Sequence, residues 1–298
     1  MDRNIVVITG AATGFGRLTA ELLARSGHTV YAGMRDVRRE NRADVLALQA
    51  LRRDEGIDIH AIELNVLQEE SCRAAADLVL AQQGRVDVVI NNAAILVVGL
   101  TEAFRAEQFL EVFNTNAVGW VRVNQAFLPI MRRQRSGLVV SISSSTARMV
   151  DPFIGPYAAS KAAADVLAET MHYENSQFGI DGVIVMPGAY PSGTALLHNA
   201  TAAADEAVTA QYDRIASLPA ELPQRLVAMQ GPEVRTDPAE VAQAIVGVIA
   251  MTPGGRPRRI VVDPQRRGIE EINALHERLQ RRSFERLGID HLIDTSIT

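Results

Sequence analysis

The amino-acid sequence predicts an α/β fold built on a doubly wound parallel sheet of about seven strands. Short apolar runs alternate with longer stretches of helical periodicity along most of the chain. The apolar runs are continuous rather than alternating, which is typical of strands that helices cover on both faces. With 298 residues and 47% hydrophobic content, the chain is long enough to bury one large core.

The first half of the chain contains four predicted strands, with a helix after each of the first three. The strands span Ile5–Thr9, 29–32, 58–63 and 86–90, and the helices span 17–25, 43–55 and Glu69–Gln83. β-Branched residues dominate the first strand, and Leu18, Leu22 and Leu23 have the spacing of one helix face. This rhythm predicts parallel strands joined by right-handed crossovers.

The second half supplies three further strands and two long helical segments. The strands are predicted at Gly137–Ile142, 182–185 and Arg259–Val262, and the helical segments at 106–133 and 157–178. No low-complexity linker or internal repeat divides the chain. Residues 1–264 are therefore predicted to form a single dinucleotide-binding and catalytic domain.

Two segments are additions to this core. Residues 193–235 form an Ala-rich, Pro-punctuated insert, which we expect to cover the substrate. Residues 265–298 form a helical extension, which we expect to pack on the same domain, with contact to another subunit as the alternative. Its apolar stripe consists of Ile269, Ile272, Leu275 and Leu279.

Composition and charge exclude several classes of protein. A formal net charge of -5 and a pI near 5.7 are unfavourable for nucleic-acid binding. The arginine clusters, including 256–259 and 266–267, are expected to be solvated surface. Cys72 is the single cysteine, so an intrachain disulfide is excluded and a packing role in its helix is predicted. The six histidines are scattered and give a metal site no support.

Neither membrane insertion nor export is expected. No apolar run reaches the ~18 residues of a membrane span. The N-terminus lacks the apolar core of a signal peptide. We therefore expect a soluble, cytoplasmic protein that acts on a small-molecule substrate, without nucleic acid or membrane as a partner.

A glycine-rich turn follows the first strand and opens the first helix. It reads Thr9-Gly10-Ala11-Ala12-Thr13-Gly14-Phe15-Gly16. Gly10 allows a tight turn, and Gly14 and Gly16 leave room for a pyrophosphate and for close helix–strand packing. The helix N-terminus offers N–H groups to the anion, and Thr13 can add a hydroxyl donor. This context predicts a dinucleotide site of the Rossmann type.

The end of the second strand indicates which dinucleotide binds. NAD-specific sites usually place an acidic residue there to hold the ribose hydroxyls. Here the position holds Met34, and Arg35 follows it. A guanidinium at Arg35 can pair with a 2′-phosphate, which favours NADP(H) over NAD(H). Two alternatives remain, since Asp36 could reach a ribose and Arg35 could simply face solvent.

The stretch Tyr157-Ala158-Ala159-Ser160-Lys161 begins a helix, so Tyr157 and Lys161 lie on one face. A free phenol has a pKa of about 10, and a nearby ammonium should lower it toward the useful range. Ser143, Ser144, Ser145 and Thr146 follow the strand that ends at Ile142. Ligands of parallel sheets bind at such strand ends, although turn chemistry alone explains some of these hydroxyls.

Over residues 4–263 the sequence resembles the short-chain dehydrogenase/reductase family. The matching motifs are the glycine turn at 9–16, Asn91-Asn92-Ala93-Ala94 after the fourth strand, Asn116 on a helix, Tyr157 with Lys161, and Pro187-Gly188 after the sixth strand. In the family a catalytic Ser usually lies thirteen residues before the Tyr, which selects Ser144.

The resemblance implies reversible hydride transfer at a carbonyl carbon. Tyr157 would donate the proton, Ser144 would hold the carbonyl oxygen, Lys161 would bind the nicotinamide ribose, and Asn116 would organise a water chain to the lysine. The implied cofactor-binding residues are Gly10, Thr13, Gly14, Phe15, Gly16, Arg35, Asn65, Val66, Asn92, Ala93, Tyr157, Lys161, Pro187, Gly188, Tyr190, Ser192 and Thr194.

Three positions depart from the family pattern. Ala94 replaces a usual Gly, which is a mild change unless φ is positive there. Asn65 stands where an Asp usually contacts the adenine, and its amide can still bond the base. Ser192 falls at a usual Thr position, and either Ser192 or Thr194 could contact the cofactor.

The candidate pocket walls are mostly apolar, which favours a hydrophobic ketone, aldehyde or secondary alcohol. The candidate substrate residues are Leu96, Val98, Phe153, Ile154 and Leu197, and Arg148 is the one cation that could await an anionic group. The length and the residues after the second strand resemble the steroid- and retinol-type branch more than the acyl-carrier ketoreductases. Family habit implies a homodimer or homotetramer.

Two other functions are compatible with parts of this pattern. An epimerase or dehydratase can use the same Tyr–Lys pair, but such relatives usually carry G-x-x-G-x-x-G and a longer substrate domain. A non-catalytic dinucleotide sensor predicts the loss of Tyr157 or Lys161, and both are present. The sequence therefore favours an oxidoreductase.

Overall fold

The computed structural model describes residues 3–191, 194–230 and 236–295. Within these ranges, seven parallel strands form one sheet in the order β3-β2-β1-β4-β5-β6-β7. The strands are β1 Ile5–Thr9, β2 Thr29–Met34, β3 Ile59–Glu63, β4 Val88–Asn91, β5 Gly137–Ile142, β6 Ile180–Pro187 and β7 Arg259–Val262. The predicted doubly wound parallel sheet is confirmed.

The helices cover both faces of this sheet. They are α1 Gly14–Arg25, α2 Arg42–Glu55, α3 Glu69–Gln83, α4 Ala106–Phe113, α5 Gly119–Gln134, α6 Gly155–Asn175, α7 Glu206–Ala210, α8 Leu218–Gln230, α9 Ala239–Ala250 and α10 Ile269–Leu287. Within the ranges given above, none of the helices is long and apolar enough to cross a membrane.

Alternate residues of β1 face two separate cores, which explains why the whole strand is apolar. Val6 and Ile8 pack with residues of α1, α2 and α9. Ile5 and Val7 pack with residues of α3 and α5, including Cys72. Burial raises the pKa of the Cys72 thiol to about 11, so this side chain packs as an unreactive thiol.

The long helical segment predicted at 106–133 is interrupted. A turn of π-helix, Asn114–Val118, separates α4 from α5. Such a turn widens the helix and redirects the side chains within it, often at a functional site. The hydrophobic periodicity of the sequence does not reveal this turn, because the apolar helix face continues on both sides of the one extra residue.

The extension after β7 packs on the domain through a different face from the one predicted. Ile269 is fully buried, whereas Ile272, Leu275 and Leu279 are between 37% and 48% exposed. The contacts are instead made by polar and aromatic side chains: Asn273 accepts a bond from Arg148 at 3.2 Å, and Phe284 packs edge-on against Tyr173.

The arginines at 256–259 are not solvated surface, so that expectation is wrong. Arg256 donates to Asp181 at 2.6 Å, and Arg258 donates to the Gly182 and Ile293 carbonyls. The side chain of Arg259 is 5% exposed and bonds the inward-facing carboxylates of Asp165 and Glu169 on α6. These acids lie about 90 residues upstream, so a scan for local charge balance does not find them.

Candidate active site

One large cavity lies at the carboxyl edge of the sheet. It has a volume of about 760 Å³, and its wall includes residues at or just after the ends of β1 to β6. Parallel strands all end at this edge, so residues far apart in sequence meet around one space. The predicted glycine turn, serine cluster and Tyr–Lys pair all contribute to the wall.

The glycine turn is held in a shape that larger residues could not adopt. Gly10 has a φ of +65°, and a Cβ at this position would lie 2.8 Å from the Cα of Ala93. A Cβ on Gly16 would overlap the Gly10 carbonyl oxygen. The Asn92 side chain ties the turn to β4 by donating to the Thr9 and Gly10 carbonyls at 2.8 and 3.1 Å.

The N-terminus of α1 opens toward the cavity. The helix begins at Gly14, and Thr13, Gly14 and Phe15 line the wall. The Thr13 side chain does not cap the helix. The first N–H groups of a helix have no partner within it and carry a partial positive charge, so this part of the wall suits an anion.

The end of β2 presents a guanidinium that already has a partner. Arg35 donates to Glu40 at 2.9 Å, both side chains are 55% exposed, and both line the cavity. The backbone N–H of Asp36 bonds the Glu63 carboxylate at 2.8 Å. Asp36 itself is not among the lining residues. Arg35, rather than Asp36, therefore faces the predicted ribose position.

Tyr157 lies on the first turn of α6, which starts at Gly155 with Pro156 in a favourable early position. The phenol is 8% exposed and lies beside the hydroxyl of Ser144, which follows the end of β5. Burial raises the pKa of Tyr157 to about 12, and the Ser144 hydroxyl partly offsets this rise. The side chain is therefore protonated at neutral pH and can donate that proton.

The serine hydroxyls at 143–145 differ in their hydrogen-bond partners. Ser144 accepts bonds from the N–H and the hydroxyl of Thr146 at 3.2 and 2.9 Å. Ser145 accepts a bond from Arg267. The Ser143 hydroxyl is buried without a hydrogen-bond partner. Ser144 is the member of the cluster whose hydroxyl acts on the Tyr157 phenol.

Lys161 is almost completely buried beside Tyr157. Its ammonium donates to the Ile142 carbonyl at 2.7 Å and lies 5.9 Å from the Tyr157 ring centre and 5.3 Å from that of Trp120. Burial lowers the pKa of Lys161 to about 7. The expected lowering of the Tyr157 pKa by this ammonium is not seen, because burial dominates and Lys161 is directed to Ile142.

Asn116 lies within the π-helical turn and is fully buried. Its amide exchanges two bonds with the Ile95 backbone, at 2.8 and 2.9 Å, and donates to the Ser160 hydroxyl at 3.0 Å. Asn116 is not on the cavity wall. It joins the loop after β4 to α6, and so holds the helix that carries Tyr157.

The loop after β6 is held by the segment that follows β7. Gln265 bonds both backbone groups of Ala189, at 2.7 and 2.9 Å. The Tyr190 hydroxyl bonds Glu240 and the Val262 carbonyl, and its ring packs edge-on against Phe15. Pro187, Gly188, Tyr190 and Thr194 line the cavity, as do Asn65, Val66, Asn92 and Ala93. Ser192 lies outside the described residues, and Gly16 lies behind the wall.

The part of the cavity beside Tyr157, where we expect the substrate, is apolar. Leu96 and Ile154 pack with Tyr157, and Leu197 and Leu222 of the insert lie against them. Leu96, Ile154 and Leu197 line the cavity, whereas Val98 and Phe153 do not. Phe153 has a φ of +72° and its carbonyl accepts a bond from Gly99. This turn directs Ile154, its neighbour, into the wall instead.

The cation at this end differs from the one expected. Arg148 is turned away from the cavity and donates to the buried Asp165 at 2.9 Å. Arg267 lines the cavity together with Asp151, which it bonds. The expectation that Arg267 belongs to solvated surface is wrong, since its side chain is only 13% exposed. Its partner Asp151 lies 116 residues upstream, and no sequence motif relates the two residues.

The fold and the site together define a dinucleotide-binding enzyme of the Rossmann type. The sequence matches the family model described as short chain dehydrogenase over residues 4–205. The chain therefore belongs to the short-chain dehydrogenase family, and it is an oxidoreductase.

Curated and solved relatives agree with this assignment. The chain is 34% identical over 194 residues to 3-ketodihydrosphingosine reductase of Bacteroides thetaiotaomicron, covering 65% of this chain and 66% of that one. It is 34% identical over 209 residues to human 17-beta-hydroxysteroid dehydrogenase type 1, covering 69% and 62%. The matches thus span less than two thirds of these relatives' lengths.

A solved structure resembles nearly the whole chain. The short-chain dehydrogenase from Streptomyces avermitilis superimposes with a TM-score of 0.73 at 29% identity, covering 96% of this chain and 98% of that one. The likeness therefore includes the region beyond residue 205, where the family model ends.

Proposed function

We propose that the chain transfers a hydride between NADP(H) and the carbonyl or secondary alcohol of a hydrophobic substrate, with Tyr157 as general acid and base. The observation that carries this proposal is the protonated, buried phenol of Tyr157 on the wall of the cavity, with the Ser144 hydroxyl beside it. A proton donor and a second hydroxyl at one point suit a carbonyl oxygen that gains negative charge.

The residues present fit a nicotinamide dinucleotide. The glycine turn leaves space that a Cβ at Gly10 or Gly16 would fill, and the α1 N-terminus faces it. Gly10, Thr13, Gly14 and Phe15 would hold the pyrophosphate, and Pro187, Gly188 and Tyr190 the nicotinamide end. When bound, this cofactor supplies or accepts the hydride.

Residues of this chain transfer the proton to and from the substrate oxygen. In the direction of reduction, the Tyr157 hydroxyl donates its proton to the carbonyl oxygen of the substrate. Ser144 donates a hydrogen bond to the same oxygen and holds it in line with Tyr157. In the direction of oxidation, the deprotonated Tyr157 oxygen accepts the proton, and because burial raises its pKa we expect the rate of oxidation to increase with pH.

Two residues behind Tyr157 maintain this arrangement. Lys161 is fixed by its bond to the Ile142 carbonyl and lies on the same helix face as Tyr157, at the position that would meet the cofactor ribose. Asn116 fixes Ser160, the residue before Lys161, against the loop after β4. Misplacement of the reacting groups by even 1 Å can lower a rate substantially.

The preference for NADP(H) rests on Arg35. Its guanidinium lines the cavity and is half-exposed, so it can turn from Glu40 to a 2′-phosphate at little cost. Charge-assisted bonds to a phosphate are stronger than an exposed ion pair.

The apolar wall at Leu96, Ile154, Leu197 and Leu222 favours a hydrophobic substrate. The two curated relatives are named for a keto compound and a hydroxysteroid, which agrees with chemistry at a carbonyl or hydroxyl carbon.

The experiment is a screen of hydrophobic carbonyls and alcohols that follows nicotinamide absorbance with NADPH and NADH in parallel. Tyr157→Phe should bind cofactor as the wild type does and lose about 10²- to 10⁴-fold in kcat, because the proton donor is removed. Full activity of this variant would remove Tyr157 from its role. Absence of turnover with every compound, together with no thermal stabilisation by either cofactor, would refute the proposal.

A further inference from the structure

Asp151 and Arg267 form an ion pair on the wall of the cavity, near the reacting groups. Nη1 of Arg267 lies 2.9 Å from both carboxylate oxygens of Asp151. The Arg267 side chain is 13% exposed and the Asp151 side chain is 27% exposed, so the pair is largely shielded from water. Nη2 of Arg267 also donates to the hydroxyl of Ser145.

The pair lies close to where a substrate carbonyl would bind. Ser145 directly follows Ser144, which lines the same cavity as Tyr157, and consecutive Cα atoms are about 3.8 Å apart. A charged group attached next to the substrate carbonyl would therefore come near Arg267. Groups further from the carbonyl would extend along the apolar wall that includes Leu96 and Ile154.

The charge of Arg267 is already balanced by two carboxylates. The first is Asp151. The second is Asp263, whose carboxylate accepts a bond from the Arg267 backbone N–H at 3.2 Å and lies 3.8 Å from the Arg267 Nε. A substrate carboxylate would have to compete with Asp151 for the guanidinium and would add negative charge beside it. Burial of an unpaired carboxylate is strongly unfavourable, so such a substrate is rejected.

We propose that the Asp151–Arg267 pair determines substrate specificity, by admitting uncharged carbonyl compounds and excluding those with a carboxylate next to the carbonyl. This inference rests on the proposed carbonyl chemistry and narrows its substrate class. It also predicts a reversal: once Asp151 loses its charge, Arg267 becomes a binding group for a substrate carboxylate.

The kinetic test uses phenylglyoxylate and its methyl ester, which differ in one charge next to the same carbonyl. With NADPH, the wild type should show at least tenfold higher kcat/KM for the ester. Asp151→Asn should shift the acid-to-ester ratio at least tenfold toward the acid, mainly through KM. Adding Arg267→Gln should abolish this gain. Asp54→Asn, which removes the same charge from an exposed pair with Arg53, should leave the ratio unchanged.

A binding test separates this inference from the proposed function. Benzoate should bind Asp151→Asn with at least tenfold lower Kd than the wild type, as measured by calorimetry, and the double variant should lose this gain. If neither phenylglyoxylate nor its ester oxidises NADPH, the proposed function is weakened and benzoate binding still decides the specificity. Should Asp151→Asn fail to fold, Asp151→Ser replaces it. Equal benzoate affinity with and without the Asp151 charge would overturn the proposal, as would a gain that persists without Arg267.

Discussion

Lys161 is the only lysine in the sequence, so its protonation can be observed without interference from other lysines. Its side chain is 3% exposed, and burial lowers its pKa from 10.5 to about 7. The Ile142 carbonyl, Trp120 and Tyr157 around it supply partial negative charge but no carboxylate contact. We therefore expect the ammonium to lose its proton near neutral pH.

The size of the shift sets a measurable dependence of stability on pH. A decrease from 10.5 to about 7 corresponds to at most about 5 kcal/mol. Since the folded pKa lies below the unfolded one, the unfolded chain binds more protons between these values, and stability rises with pH across that window. The free-energy cost of burying the protonated Lys161 is therefore fully present below pH 7 and absent above pH 10.5.

Replacement by Met removes this penalty. Lys161→Met should therefore exceed the wild type in free energy of unfolding by the largest amount below pH 7. The gain is reduced by about 1 kcal/mol for the lost bond to Ile142. The difference between the two proteins should fall as the pH rises from 7 to 10.5. The same variant should lose turnover, because Lys161 positions the site.

The direct assay is an NMR titration of protein grown with ¹³Cε-labelled lysine, which should give a single side-chain resonance with a midpoint near pH 7. Lys161→Met is the control and should lack the resonance. Urea unfolding of both proteins at pH 6, 8 and 10 measures the difference in stability. A midpoint above pH 9, or a difference that does not change with pH, would refute the reasoning.

Three further predictions concern cofactor, core and assembly. Arg35→Ser should raise the KM for NADPH about tenfold through loss of a charged donor and leave that for NADH unchanged; equal changes in steady-state assays would contradict the assigned preference. Asp165→Asn should cost about 3–5 kcal/mol in urea unfolding, because Arg148 and Arg259 share this buried carboxylate, whereas the exposed Asp54→Asn should change little. Light scattering should give two or four times the chain mass of 32.4 kDa, as Leu110, Val118 and Val166 lie exposed on or between α4 and α6; a monomer would contradict this.

Most of the fold could be predicted because its signals are local. β5 and β7 have the predicted bounds, since apolar runs and their flanking turns are read within a few residues. β6 begins two residues earlier and ends two later than predicted, because Asp181 and Pro187 interrupt the apolar run while the ladder with its neighbours continues. The π-helical turn at Asn114–Val118 has no local sequence signal.

The candidate site likewise has features that local sequence patterns predict and features that depend on distant residues. The glycine turn and the Tyr157–Lys161 spacing are short-range patterns whose chemistry follows from residue type, so the sequence alone placed them on one face or one loop. Their environment is not local: the high pKa of Tyr157 and the low pKa of Lys161 arise from burial by Leu96, Trp120 and the insert.

By itself, the sequence determined the doubly wound sheet, the order of its elements, the glycine turn and the Tyr157–Lys161 spacing to which we assign the proton transfer. Only the tertiary structure decided which of Arg148 and Arg267 lines the cavity. It buries Arg148 against Asp165 and brings Arg267 to Asp151, a partner 116 residues away. Such pairings depend on how distant segments pack, and the energy of a charge depends on the partners and water around it, neither of which a linear pattern contains.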